Sequence, residues 1–148
     1  MDEHQLMVLG GVTQVMLAID APYESVQMLL DQHPCETMGD PEEEGSGAWH
    51  FRHMCEVFRV HARAVIGETE VATWPSMPKG LRACAMTLKE DAMRFTIWCM
   101  THVDQIERVT YGEEMGFEEM VGIMSRHLVW HAAAVHYWCI WKGGSGEG

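Results

Sequence analysis

Basic residues are scarce in this chain, and several features that mark common functional classes are missing. Its 148 residues include 10 Lys+Arg against 22 Asp+Glu, a formal net charge of −12. Without a basic cluster, the chain lacks the electrostatic footprint for nucleic acid or an anionic membrane surface. It also has no apolar run long enough to span a bilayer and no basic signal-peptide start. We therefore expect a cytoplasmic protein that binds neither nucleic acid nor membrane.

The cysteines exclude the usual disulfide and zinc-ribbon frameworks. There are five of them, an odd number, and no Cys-x-x-Cys pair occurs. We expect buried, reduced thiols. Apolar residues, by contrast, are plentiful: the chain is 47% hydrophobic, with 13 Met and 6 Trp. That content suits one core in a single domain of this length.

Apolar residues recur at helical spacing in four stretches, which predicts an all-α fold. The first runs from Asp2 to about His33, either as one helix kinked at Pro22 or as two stacked pieces with Asp20 capping the second. The other three cover about residues 48–66, 81–103 and 117–142.

The connections between these stretches are longer than tight hairpins. Residues 67–80 contain two prolines, and residues 104–116 are polar, with a short extended turn expected at 109–112. Four helices so connected predict a four-helix bundle, a fold that builds metal and ligand sites from facing helices. We expect one domain over residues 1–142, followed by a flexible Gly/Ser tail at 143–148.

Two histidines share the inward face of the last predicted helix. His127 and His131 lie four residues apart, on a stripe with Met120, Met124, Val135 and Trp138. Side chains at i and i+4 are neighbours, so both imidazoles can reach one metal ion, as in the helix of zinc proteases. The glutamate of the protease motif is absent, and two ligands make no complete site.

The second predicted helix supplies a third candidate ligand. His53 shares a face with Trp49, Val57, Val60 and Ala64, which we predict to point inward. His50 lies to the side, either as an alternative ligand or as a flanking residue. Glu56, one turn after His53, is the candidate catalytic residue, as a general base or as an acceptor for a ligand imidazole. The alternative for Glu56 is an ion pair with Arg52 or Arg59.

With these residues in place, the sequence resembles the DinB/YfiT-like superfamily of metal-binding four-helix bundles. Residues 47–54 (GAWHFRHM) are similar to its second-helix start, in which a Trp precedes the ligand His by four residues. Residues 124–131 (MSRHLVWH) are similar to its C-terminal His-x3-His. The resemblance extends over about residues 20–142. It departs at residues 132–134, where Ala-Ala-Ala replaces the Arg-Gly-Gln of many members.

The resemblance implies a divalent metal, zinc or nickel, held by His53, His127 and His131 with an open position. It also implies a transferase or hydrolase acting on a small-molecule substrate with a low-molecular-weight thiol. Independently, three neutral imidazoles suit such ions, and an open-site metal can lower the pKa of water or of a thiol. Two alternatives stay open: a non-catalytic metal-binding or stress-responsive protein, and an interaction module whose histidines are core residues.

The outward side of the last predicted helix is apolar for a solvent face. Val129, Ala132, Ala133 and Ile140 lie there. Such a surface predicts a homodimer, with burial under the N-terminal segment as the alternative.

Overall fold

The described residues form an all-α protein, as predicted. The computed structural model describes residues 1–106, 108–111 and 113–146, with side chains for 1–106 and 115–142. The described part contains six α-helices and one two-stranded sheet. They are α1 (Glu3–Asp20), α2 (Val26–Gln32), α3 (Gly47–Ile66), α4 (Glu68–Val71), α5 (Leu81–Thr101), β1 (Arg108–Tyr111), β2 (Glu113–Gly116) and α6 (Phe117–Gly146). No helix among the described residues is both long and apolar enough to cross a membrane.

The break near Pro22 is confirmed, but the predicted cap is wrong. Asp20 is the last residue of α1, and the chain then leaves helical geometry, with Glu24 at φ 51°. Ser25 caps α2 instead, because its hydroxyl accepts a hydrogen bond from the Met28 amide at 3.1 Å. α1 and α2 are therefore two separate pieces.

Gly11, which weakens the helical pattern of α1, is explained by the packing of that helix. A Cβ atom at Gly11 would lie 2.6 Å from Cε1 of Phe117 and 3.0 Å from Cγ2 of Val121. Only glycine lets α1 approach α6 this closely. This packing explains why α1 contains a glycine, although an interior glycine lowers the stability of a helix.

The other helix boundaries lie near their predicted positions. Ser46 caps α3, and its hydroxyl accepts from the Trp49 amide at 3.0 Å. Gly67, at φ 96°, ends α3 in a conformation that favours glycine. The single-turn helix α4 was not predicted, because four residues carry too little periodicity.

The segment before α6 is a β-hairpin rather than a lone turn. β1 and β2 pair antiparallel, with Arg108 opposite Gly116 and Tyr111 opposite Glu113. α6 starts at Phe117, as predicted, but continues to Gly146, beyond the expected end at residue 142. The tail predicted beyond this helix therefore begins, at the earliest, at residue 147, and residues 147–148 lie outside the described residues.

Four long helices enclose the core. α6 packs against α1 and α3, and α5 packs against the same two helices. The inward stripe predicted for α6 is confirmed by buried members such as Met120, Met124 and Val135, and the buried residues of α5 include Leu88 and Phe95.

The face of α3 that was predicted to point inward lies at the rim of the core, where its side chains are only partly buried. Val60 is 38% exposed and His53 is half-buried, whereas Phe51, Met54 and Phe58 are almost completely buried. The error arises because α3 is apolar on more than one side, and periodicity alone does not rank the sides.

One ion pair is buried between α3 and α5. Asp91 is 0% exposed, and it accepts from Nε of Arg59 at 2.7 Å and from Nη2 of Arg59 at 3.2 Å. Arg94 donates to the same carboxylate at 2.9 Å, and the Arg59 guanidinium lies 5.8 Å from the centre of the Trp74 ring. Removing one partner would leave an uncompensated buried charge.

We expect the substitution Asp91→Ala to lower the free energy of unfolding by about 3–5 kcal/mol, because Arg59 would stay buried without its counter-ion. Denaturant unfolding followed by circular dichroism would measure this. Glu90→Ala is the matched control, since that carboxylate is 55% exposed where it meets Arg94 and such pairs contribute about 0–1 kcal/mol. Equal losses in the two variants would contradict a specific role for the buried pair.

Candidate metal centre

The structure brings His53, His127 and His131 together. One nitrogen from each imidazole lies within 4.8 Å of the other two. The ring centroids of His127 and His131 are 4.4 Å apart, and those of His53 and His131 are 4.9 Å apart. Residues separated by more than 70 positions along the chain thus converge between α3 and α6.

Helix geometry and two tryptophans position these rings. The four-residue spacing on α6 places His127 and His131 one above the other. His53 stacks on Trp49, one turn earlier on α3, with centroids 5.4 Å apart and planes inclined by 2°. On α6, the Trp130 ring centroid lies 5.6 Å from that of His131.

Two further histidines of α3 flank the group. His50 Nδ1 lies 2.9 Å from His131 Nδ1, within hydrogen-bond distance. The His61 ring meets the His127 ring edge-on, with centroids 5.3 Å apart. Each candidate ligand on α6 therefore has a second imidazole beside it, so five histidines share this contact between helices.

From the sequence, His50 and His61 were expected at the side of the second helix. His61 was not among the candidate ligands. The spacing of His50, His53 and His61 repeats at close to whole helical turns, so all three lie on one side of α3. That spacing was the available signal. A tertiary contact was still needed to show that this side faces α6.

Burial lowers the pKa of His61, His127 and His131 and so favours their neutral form. His131 is 7% exposed, and burial followed by the nearby His127, His53 and His50 lowers its pKa to about 4. Burial, and then His127, lowers the pKa of His61 to about 4. The pKa of His127 is lowered by burial and then by His53. A metal binds the neutral form of imidazole, so protons compete weakly for His131 at pH 7.

The three nitrogens fit a divalent ion after a modest contraction. Metal–nitrogen bonds of about 2.0–2.1 Å place two nitrogens of a tetrahedral site about 3.3 Å apart. Side-chain rotations would have to close the gap from a separation of at most 4.8 Å. Three imidazole donors are chemically suited to zinc or nickel and leave at least one position unfilled by protein.

Glu56 stands apart from the imidazole group. Its side chain is exposed, and it does not belong to the set of mutually close ligand atoms. The alternative ion pair is not formed among the described residues, because Arg52 pairs with Glu42 and Arg59 pairs with Asp91. A catalytic role for Glu56 stays a prediction.

His102 and Cys55 make contacts outside the histidine group. His102 follows the last residue of α5, where its Nδ1 lies 2.9 Å from the Trp98 carbonyl oxygen. All five cysteines are free thiols, as expected, and Cys35 alone among them is not buried. Cys55 directs its thiol to the Cys84 carbonyl oxygen, 3.7 Å away, rather than into the histidine group.

Access to the group comes from the half-buried His53 and His127 rather than from a deep cavity. Five clefts of about 260 to 670 Å³ lie among the described residues, and none is lined by His53, His127 or His131. A ligand could reach the site from this exposed edge.

Comparison of this chain with models of protein families, with curated proteins and with solved structures finds no match. The geometry of the histidine group is therefore the basis for assigning a function.

Proposed function

We propose that this protein binds one divalent metal ion, zinc or nickel, through His53, His127 and His131. The observation that carries the proposal is the mutual approach of one nitrogen from each of the three rings within 4.8 Å. The lowered pKa values of His127 and His131 support it, since a charged imidazole has no lone pair to offer. The resemblance to the DinB/YfiT-like superfamily and to its four-helix bundle stays a prediction that this site would fit.

The second candidate function is catalysis at the same site, by a transferase or hydrolase that uses a low-molecular-weight thiol. Three protein donors leave a coordination position for a small molecule. A divalent ion bound there would supply Lewis-acid chemistry. The half-buried His53 marks the edge from which a substrate would enter, and Glu56 lies one turn away on the same helix. Non-catalytic metal binding stays the alternative.

The first test is the metal content of untagged protein purified without a metal column. We expect the parent to carry about one equivalent more of zinc or nickel than His53→Ala and His131→Ala, because two imidazoles hold an ion far more weakly than three. Elemental mass spectrometry would measure both. His102→Ala is the matched control, since its imidazole lies at the end of α5.

A parent protein that carries no metal and binds neither ion tightly on titration would contradict this proposal. Catalysis is tested separately, by screening thiol-dependent transfer with the metal-loaded parent, His131→Ala and Glu56→Gln. Metal binding without turnover would leave the non-catalytic function.

His50 has a distinct expected role as a positioning residue. When Nε2 of His131 holds the ion, its Nδ1 carries the proton and can donate to His50 Nδ1, 2.9 Å away. We expect His50→Ala to weaken zinc binding about 10–100-fold, and His50→Gln to weaken it less because the amide oxygen can still accept. Competition titration with a chromophoric chelator would measure the affinities. Unchanged affinity in His50→Ala would remove this role, and complete loss of metal would make His50 a ligand.

We also propose that a second copy of the chain packs on the outer side of α6. Part of the apolar surface predicted on this side is less exposed than expected, because Ala132 is 6% exposed and Val129 and Ala133 are half-buried. The large exposed side chains of α6, among the side chains that the structure describes, are Trp130 at 70%, Tyr137 at 69%, Trp141 at 68% and Ile140 at 52%. Trp130 and Tyr137 lie seven residues apart and therefore on one side of the helix.

Light scattering during size-exclusion chromatography at micromolar concentration would test the dimer. We expect twice the mass of the chain for the parent and a single-chain mass for Trp130→Glu, which places a charge within the apolar surface. Ile97→Glu is the matched control, since Ile97 is 59% exposed on α5. A monomeric parent would contradict the dimer.

A further inference from the structure

A second pair of imidazoles meets on another side of α6. His33 Nε2 lies 2.9 Å from His136 Nδ1, with ring centroids 4.9 Å apart and planes inclined by 58°. His33 is the residue that ends α2, and His136 lies within α6, 103 positions further along the chain. His136 lies five positions after His131 on α6, which turns the two rings to different sides of the helix.

This pair is built by the fold and is accessible. Both rings are half-buried, and neither forms an ion pair with a carboxylate among the side chains that the structure describes. His136 also lines a cleft of about 260 Å³ between α2 and α6, together with Gln32, Glu24 and Tyr137. A ligand held by the two rings would therefore have open positions toward solvent and toward this cleft.

The pKa of His33 is shifted toward the neutral form that metal binding requires. Burial, and then the neighbouring His136, lowers the pKa of His33. Two neutral imidazoles share one proton between the facing nitrogens. If that proton moves to the outer nitrogen of the same ring, both facing nitrogens present lone pairs, and no net proton is released.

The spacing of these nitrogens favours one coordination geometry, provided that each ring turns its lone pair from the facing nitrogen toward the ion. Two nitrogens 2.9 Å apart, each about 2.0–2.1 Å from an ion, subtend about 90° at that ion. Such an angle belongs to neighbouring positions of a square-planar or octahedral site, as in Ni²⁺ and Cu²⁺ complexes. A tetrahedral zinc ion would require about 3.3 Å between the same nitrogens.

We propose that His33 and His136 form a second divalent-metal site, which chelates Ni²⁺ or Cu²⁺ and lies apart from the three-histidine group. Water or a small ligand in the neighbouring cleft completes the coordination sphere. Because one ligand ends α2 and the other belongs to α6, the ion ties these two helices together. Metal binding at this site therefore stabilises the folded chain.

The test uses the full-length, untagged His53→Ala variant, in which the three-histidine group lacks a ligand. Ni²⁺ is the probe, because Cu²⁺ would oxidise free thiols. We expect calorimetric titration to show one equivalent of Ni²⁺ bound, at least tenfold more tightly than Zn²⁺. Saturating Ni²⁺ should also raise the unfolding temperature of this variant.

Adding His33→Gln or His136→Gln to that variant should weaken Ni²⁺ binding at least tenfold and abolish the rise in unfolding temperature, whereas adding His102→Gln should change neither. Glutamine keeps a polar side chain of similar reach at each position. A His53→Ala variant that binds no Ni²⁺, or that prefers Zn²⁺, would overturn the proposal even if the double variants failed to fold. Unchanged Ni²⁺ binding after either glutamine substitution would overturn it too. The difference in metal content between the parent and His53→Ala tests the three-histidine site separately.

Discussion

The contact between α3 and α6 is the interaction on which the candidate metal centre depends. Each helix alone carries histidines that could serve elsewhere as ordinary core or surface residues. When the two helices pack together, five imidazoles meet at one interface, with His50 against His131 and His61 against His127. Such a cluster stays compatible with a buried interface only while its members are neutral, because charged imidazoles so close would repel one another. That neutrality also makes them available to a metal.

The opposite side of α3 holds the helix in place. There, Phe58 meets Phe95 edge-on, with centroids 6.0 Å apart, and Arg59 pairs with the buried Asp91. α3 is thus anchored to α5 by apolar packing and one buried ion pair, while its histidine-bearing rim faces α6. A rigid support of this kind holds ligands in position without help from the ion.

Both imidazole groups use α6, and both are assembled with another helix. The three-histidine group joins α6 to α3, and the pair of His33 and His136 joins it to the end of α2. The formal net charge of −12 adds a general attraction for cations across the surface. The ligand nitrogens are widely spaced in the three-histidine group and closely spaced in the pair of His33 and His136. The two groups therefore suit ions with different coordination geometries, and two different ions could bind to one chain.

The sequence by itself determined the helical class, most helix boundaries and the three histidines that converge. Periodicity of 3.6 and the spacing of His127 and His131 are local properties, and local geometry follows from local sequence. Only the tertiary structure decided the rest. It showed that the His53 side of α3 is a rim, that His50 and His61 join the group, that Glu56 stands outside it, and that His33 meets His136. Each of these depends on the rotation and separation of helices packed from distant parts of the chain, which periodicity along one helix does not contain.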